Sequence, residues 1–217
     1  MKKVLYSIHP KWVYKILIGT KLIEVRKTIP KIELPFEGYI YCTKDNTLVI
    51  SMGPFGPAML DFEDEYVMNG KIVAKFICNK IETYQWLPQE NRYSINDDTL
   101  ALTCLQRDDF NSYGKGKPLY GIYIDSIVSF EQPLQINRAM VECSNKERDP
   151  MICDNCPYDV VIRHPEWEDD YCATDGHKYL TRPPQSWGYI KEIVNEEDAY
   201  STITNINREV SVEITYR

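Results

Sequence analysis

The stretch GTKLIEVRK, residues 19–27, decides how the first part of this 217-residue chain is arranged. Its composition predicts a short strand, and side chains alternate along a strand. Glu24 and Arg26 therefore share one face, while Ile23 and Val25 share the other. The strand thus places an acid and a base side by side, on a segment that begins with a lysine.

The sequence on either side of this strand predicts a β-α-β-β order for residues 1–45. VLYSI (4–8) is strand-like, and Pro10 suits the first turn of a helix, where a missing N–H costs nothing. Apolar residues at helical spacing follow until Gly19, a natural helix end. GYIYCT (38–43) predicts the next strand, since it is rich in aromatic and β-branched residues.

The rest of the chain predicts more strands, one more helix and two insertions. KIVAKFICNKIETY (71–84) is typical of a long strand or a strand pair, and LYGIYIDSIVSF (119–130) of a single strand. Residues 97–113 predict a helix. We expect a loop insertion at 44–70 and a second insertion at 138–180, where cysteines, acids and turn residues replace the alternating pattern.

Composition and charge limit the classes of function. Apolar residues make up 43% of the chain, and no apolar run approaches the roughly 18 residues of a membrane span. A short apolar start and an odd count of seven cysteines predict a reduced, cytoplasmic protein. The net charge of −7 argues against a protein that coats nucleic acid. Residues 1–31 nevertheless hold eight lysines and arginines against one acid, Glu24, so a basic end could guide a phosphate ligand.

Three stretches in this order resemble the ASCH superfamily, which has a PUA-like β-barrel fold. They are SIHPKWVYKILIGTK (7–21), the pattern G-x-K-x-x-E-x-R (19–26) and PPQSW (183–187), which resembles a closing strand. The likeness is to phage and bacterial members with a cysteine-rich insertion. It implies an α+β fold, a single PUA-like mixed β-barrel domain over residues 1–217 with two main helices and a small metal-stapled insertion.

The resemblance also implies a ligand cleft between the first helix and the barrel, with RNA, a nucleobase or a nucleotide as its ligand. Lys21 would offer a point charge to phosphate, and Arg26 a planar fork that grips phosphate or stacks on a base. Glu24 would accept hydrogen bonds from a base or hold Arg26. Ser7 could cap the first helix, and His9 could contact phosphate. The candidate nucleic-acid-binding residues are Ser7, His9, Lys21, Glu24, Arg26, Tyr41 and Trp187, with Trp12 as a further stacking candidate.

Two other functions stay open. One is an enzyme acting on RNA or a nucleoside, a ribonuclease or an amidohydrolase-like protein, with Lys21, Glu24 and His9 as its catalytic residues. Amidohydrolase-type relatives carry a threonine three residues after the lysine, where this chain has Glu24, a poor acyl-transfer nucleophile. We therefore favour binding over catalysis. The other is a phage-borne interaction module whose acidic surface meets a basic protein partner.

The insertion at 138–180 has a cysteine pattern typical of structural zinc. A CxxC pair lies at its centre, with one cysteine before it and another after it. A polar, turn-rich segment needs such a staple, because it cannot build a core of its own. His177 in place of the first cysteine is the alternative ligand set, and free thiols are the other interpretation. The predicted zinc ligands are Cys143, Cys153, Cys156 and Cys172.

We expect the purified protein to retain zinc through these cysteines. Changing Cys153 and Cys156 together to serine should abolish zinc retention, because a structural site needs four ligands. The Cys104→Ser control should retain it. Metal content is measured by inductively coupled plasma mass spectrometry. A wild-type protein that carries no zinc after expression in zinc-supplemented medium would contradict the prediction.

Overall fold

The structure is a computed structural model that describes residues 1–53, 56–59, 66–142, 161–162, 171–172 and 177–193. Its helices are α1 (Pro10–Leu17), α2 (Asp97–Ala101) and α3 (Arg107–Gly114), with a 3-10 turn at Ile136–Arg138. Its strands are β1 (Lys3–Ile8), β2 (Ile23–Arg26), β3 (Phe36–Cys42), β4 (Ser51–Gly53), β5 (Gly56–Ala58), β6 (Lys71–Cys78), β7 (Ile81–Tyr84), β8 (Trp86–Leu87), β9 (Arg92–Tyr93), β10 (Leu119–Tyr123), β11 (Ile127–Gln135), β12 (Ala139–Glu142), β13 (Val161–Ile162), β14 (Tyr171–Cys172), β15 (His177–Tyr179), β16 (Trp187–Ile190) and β17 (Glu192–Ile193).

Two sheets position the site. The larger sheet has the order β11-β6-β3-β1-β16, and the smaller has the order β2-β10-β7. β1 runs parallel to β3 and antiparallel to β16, so the strand after PPQSW closes against the first strand of the chain. The N-terminal β-α-β-β order has the form that the sequence predicts. No helix in the described part of the chain is long and apolar enough to cross a membrane.

The prediction of a mixed α+β fold, mostly of strands, is confirmed, but the described strands do not form a closed barrel. The chain bends twice at one corner, between β6 and β7 and between β10 and β11. The Asn79 side-chain amide donates to Asp125 Oδ2 over 2.9 Å, which ties the two bends together. The chain therefore passes from the larger sheet to the smaller one between β6 and β7, and back again between β10 and β11. The 119–130 stretch forms two strands rather than one.

The single helix predicted for 97–113 is instead the helix pair α2 and α3. Cys104 adopts a positive φ of 56°, a conformation that a helix cannot continue through. Thr103 is fully buried at this break, and its hydroxyl donates to Leu100 O over 2.6 Å. The break exposes backbone carbonyls toward β2, because Leu22 N and Ile23 N both donate to Leu102 O.

The main core lies between α1 and the larger sheet. Val13 and Ile16 of α1 are buried in one cluster with the aromatic rings of Tyr6, Phe36 and Phe76. Close packing leaves no room for a side chain on β3 at residue 38. A Cβ atom added to Gly38 would lie 2.3 Å from Cζ of Phe76.

Replacing Gly38 by alanine should lower the free energy of unfolding by about 2 kcal/mol, because the added methyl overpacks the core against Phe76. Chemical denaturation followed by circular dichroism measures the change. Glu131→Ala, at an exposed position on β11, is the control and should shift stability by no more than about 0.5 kcal/mol. An unchanged unfolding midpoint for Gly38→Ala would contradict the packing described here.

Candidate ligand-binding cavity

A cavity of about 760 Å³ is lined by the end of β1, by α1, β2 and α3, and by the residues that follow β2 and α3. Its volume is in the range of pockets that hold small molecules. Five of the seven residues that the sequence singles out for nucleic acid line it. They are Ser7, His9, Lys21, Glu24 and Arg26.

The floor of the cavity is a buried ionic triplet centred on Glu24. Glu24 Oε1 lies 3.0 Å from Arg26 Nε, and Glu24 Oε2 lies 3.4 Å from Lys21 Nζ. The three residues are only 2 to 9% exposed. A carboxylate at this depth is costly unless cations compensate it, and here one cation sits at each oxygen. The sequence pattern K-x-x-E-x-R therefore encodes a paired set rather than three independent groups.

Lys21 is held by the protein on every side. Its ammonium donates to Ile23 O and to Thr103 O, each over 2.8 Å, and its third contact is Glu24. Burial lowers the pKa of Lys21 below its ordinary value, although Glu24 acts in the opposite direction. Because an ammonium has three N–H donors and all three are engaged, this geometry favours positioning of Glu24 over direct contact with phosphate.

Arg26 joins the floor to the closing segment of the chain. Its Nη2 donates to Ser7 O over 2.8 Å, and its Nη1 donates to Ser186 Oγ over 3.2 Å. The guanidinium carbon lies 5.9 Å from the centre of the Tyr6 ring. A guanidinium has five N–H donors. Nε meets Glu24 as an ion pair without a hydrogen bond, and the second N–H on each Nη atom has no hydrogen-bond partner among the described residues.

His9, and not Ser7, caps helix α1. The Lys11 amide donates to His9 Nδ1 over 3.2 Å, and His9 Nε2 lies 2.7 Å from Asp45 Oδ2. Hydrogen bonds from Thr47 lower the pKa of Asp45 to about 2, with a smaller contribution from His9. Ser7 instead donates its hydroxyl to Pro184 O over 2.6 Å. The expectation that Ser7 caps the helix is wrong, because this serine faces the closing segment.

The predicted aromatic residues divide between the cavity and the core. Trp12 lines the cavity, and the ammonium groups of Lys11, Lys15 and Lys21 lie 4.8 to 5.6 Å from its ring centre. Tyr41 is 3% exposed and packs in the core with Ile72 and Phe130, away from the cavity lining.

Trp187 also lies outside the lining. Its indole N–H lies 3.1 Å from Thr28 Oγ1, on the segment that follows β2. It packs at the edge of the main core. Stacking on Tyr41 or Trp187 would therefore need a surface other than this cavity.

Sequence reasoning did not identify the contribution of α3 and the flanking lysines. Tyr113, Asp109 and Lys115 line the cavity, as do Lys11 and Lys27. The lining holds five cationic side chains and two carboxylates, so it carries a surplus of three positive charges on a chain of net charge −7. The excess of basic residues in 1–31 indicated a positive electrostatic field, but nothing in the sequence indicated that α3 would line the same cavity.

The zinc prediction lies almost entirely outside the described residues. Cys143, Cys153 and Cys156 fall in segments that the structure does not describe. Cys172 belongs to β14, which pairs with β13, and His177 belongs to β15, which pairs with β12. The zinc site stays a prediction.

This fold resembles solved structures of ASCH proteins from Zymomonas mobilis. The protein without a named mutation shares 13% identity, with a TM-score of 0.46, over 88% of this chain and 89% of the other. Two single-residue mutants each share 12% identity over 88% of this chain, with TM-scores of 0.48 and 0.47 over 89% and 92% of their own chains. No protein-family model matches the sequence, and no curated protein sequence matches it.

These solved structures are named as ASCH proteins, and ASCH is the superfamily that the G-x-K-x-x-E-x-R pattern of residues 19–26 resembles. The chemistry of the cavity follows from its own residues and distances.

Replacing Lys21 by methionine should lower the free energy of unfolding by about 3 kcal/mol, because it removes one partner of a buried ion pair. It also leaves Ile23 O and Thr103 O without their donor. Urea denaturation measures the loss. Lys31→Met, at an exposed position, is the matched control and should stay within about 0.5 kcal/mol of wild type. Equal stability of the two variants would show that the Lys21 contacts are not formed.

Proposed function

We propose that this protein binds single-stranded RNA by seating an unpaired base in the cavity above Glu24 and Arg26. One observation carries the proposal. A buried carboxylate and a guanidinium with two N–H donors that are free among the described residues form the floor of a cavity whose lining is strongly cationic. The resemblance of the K-x-x-E-x-R pattern to ASCH proteins supports RNA as the nucleic acid.

The floor offers the two kinds of group that can recognise the edge of a base. Glu24 is acceptor-only when ionised, and each of its oxygens has capacity beyond the one cation that it contacts. The remaining Arg26 donors suit a carbonyl or a ring nitrogen of a base. Both groups are shielded from water. A ligand that forms no hydrogen bond with Glu24 or Arg26 therefore binds more weakly, because the desolvation of that group is not compensated. Such a floor discriminates among ligands.

The shape of the site favours an unpaired base. In a duplex the base edges are already paired, and the deep groove of A-form RNA does not admit side chains. A base in a single strand can be turned out of the stack and presented to a pocket. The cavity of about 760 Å³ can enclose a nucleotide but has no room for a double helix.

The charge pattern favours a phosphate-bearing ligand in this cavity. Lys11, Lys27 and Lys115 line it, and none of them has a carboxylate within ion-pair distance among the described residues. Unpaired lysines around a cavity attract phosphate and release counterions on binding. The acidic remainder of the chain repels RNA elsewhere, which concentrates binding here.

The same geometry gives less support to catalysis. Every donor of Lys21 is engaged, and both ring nitrogens of His9 are occupied, one by the Lys11 amide and one by Asp45. A general base needs a free nitrogen within reach of the proton that it removes. We therefore place binding ahead of an RNA- or nucleoside-directed enzyme.

Fluorescence anisotropy with labelled RNA strands of about eight nucleotides tests the proposal. Wild type should bind a single strand more tightly than the matching duplex, and log K should fall against log salt with a slope of about −2 for three phosphate contacts. Glu24→Gln, which keeps the shape but removes the charge, should weaken binding about tenfold. Lys31→Met should bind like wild type.

Three results would overturn the proposal. They are no binding to any of the strands, equal affinity for strand and duplex, and an unchanged affinity in Glu24→Gln. Cleavage of the strand that stops in Glu24→Gln while binding persists would replace binding with catalysis as the function.

A further inference from the structure

Tyr113 of α3 stands partly exposed in the cavity beside the ionic floor. It is 38% exposed, and Lys27 Nζ lies 4.5 Å from the centre of its ring. Burial raises the pKa of its hydroxyl, and Arg26 and Glu24 both act on that hydroxyl electrostatically. Tyr113, Glu24 and Arg26 all line the same cavity, so the ring and the floor face one space. Its hydroxyl has no hydrogen-bond partner among the described residues.

Positive and negative charges lie at opposite ends of this side of the cavity. Asp109 lies one helical turn before Tyr113 on the same face of α3, while Lys115 lies two residues after it. All three line the cavity, as does Lys27. Lys27 and Lys115 have no carboxylate partner in the part of the chain that the structure describes, so an anion is attracted to the Tyr113 end and repelled at the Asp109 end.

Tyr113 offers a ring face at the place where the cations are. Aromatic side chains bind unpaired bases by stacking, which is tolerant of sequence because every base has a flat π face. Trp12 is less suited to this role, since three ammonium groups lie at its ring, whereas one, from Lys27, lies at the ring of Tyr113. If the base of a nucleotide stacked on Tyr113, the phosphate of that nucleotide would lie in the electrostatic field of Lys27 and Lys115.

We infer that α3 supplies a combined ring-and-phosphate subsite, in which Tyr113 stacks on the base of one nucleotide while Lys27 and Lys115 bind that nucleotide's phosphate. The inference rests on the proposed function and names the unit that the cavity recognises. That unit is a single nucleotide, base and phosphate together, rather than a free nucleobase. Asp109 opposes the phosphate at the other end and fixes its placement.

Isothermal titration calorimetry with the four ribonucleoside 5′-monophosphates, the matching nucleosides and inorganic phosphate tests this subsite. At least one monophosphate should bind tenfold or more tightly than its nucleoside, about 1.4 kcal/mol, and inorganic phosphate should bind weakest. The double variant Lys27→Met/Lys115→Met should remove the advantage of the monophosphate. Lys117→Met, exposed and outside the lining, is its matched control and should keep that advantage.

Two further variants separate a binding role from a structural one. Tyr113→Ala should weaken monophosphate and nucleoside alike by about tenfold, because stacking on the base is lost from both. Asp109→Asn should tighten monophosphate binding several-fold and leave nucleoside binding unchanged. Asp108→Asn removes the same charge from the same helix turn but not from the cavity, so it should bind like wild type. A gain of affinity confined to Asp109→Asn cannot come from damage to the fold.

The outcomes separate this inference from the proposed function. If RNA binds and Glu24→Gln weakens it, while monophosphates bind no better than nucleosides, the subsite is refuted and the proposed function stands. The subsite alone is likewise refuted if RNA binds but no mononucleotide does, or if Tyr113→Ala and Asp109→Asn have no effect. If neither RNA nor any nucleotide binds, both are refuted.

Discussion

The site depends on one buried carboxylate. Glu24 is 8% exposed, and a charge at that depth is tolerated only when cations and hydrogen bonds surround it. Lys21 and Arg26 supply the cations, and each is itself fixed by backbone carbonyls from another part of the chain. Lys21 reaches Thr103 at the break between α2 and α3, and Arg26 reaches Ser7 at the end of β1. The two cations that compensate Glu24 thus also connect β2 to the helix break and to the end of β1, which border the cavity.

This arrangement fixes the side chains of the floor, Lys21, Glu24 and Arg26, but not the exposed side chains of the cavity wall. The donors of Lys21 are engaged inside the protein, so the acceptors of Glu24 keep fixed positions. Arg26 is held by Ser7 and Ser186 but retains N–H groups that no described residue accepts. Lys11, Lys27, Lys115 and Tyr113 are exposed or partly exposed, and they have several rotamers available. A rigid floor with an adaptable wall suits selection by base edge and tolerance of ligand shape.

Sequence spacing predicted the floor but not the wall. A two-residue step along a strand places Glu24 and Arg26 on one face, so their contact follows from local geometry. Tyr113 and Thr103 reach the site because residues of α2 and α3 share a buried cluster with β2, a long-range association that no local pattern encodes. The described strands show no closed barrel, since the bends at Asn79 and Asp125 divide them between two sheets. The zinc ligands remain a prediction.

If RNA enters the cavity above Glu24, a base must lie within bonding distance of the rings that line it. Photo-crosslinking of a single strand carrying 4-thiouridine, followed by mass spectrometry of the adducts, locates that base. We expect adducts in the peptides that contain α1 and α3, at Trp12 or Tyr113, because these rings line the cavity. Adducts found only elsewhere, for example in β6 and β11 of the larger sheet, would place the RNA on another surface and refute binding in this cavity.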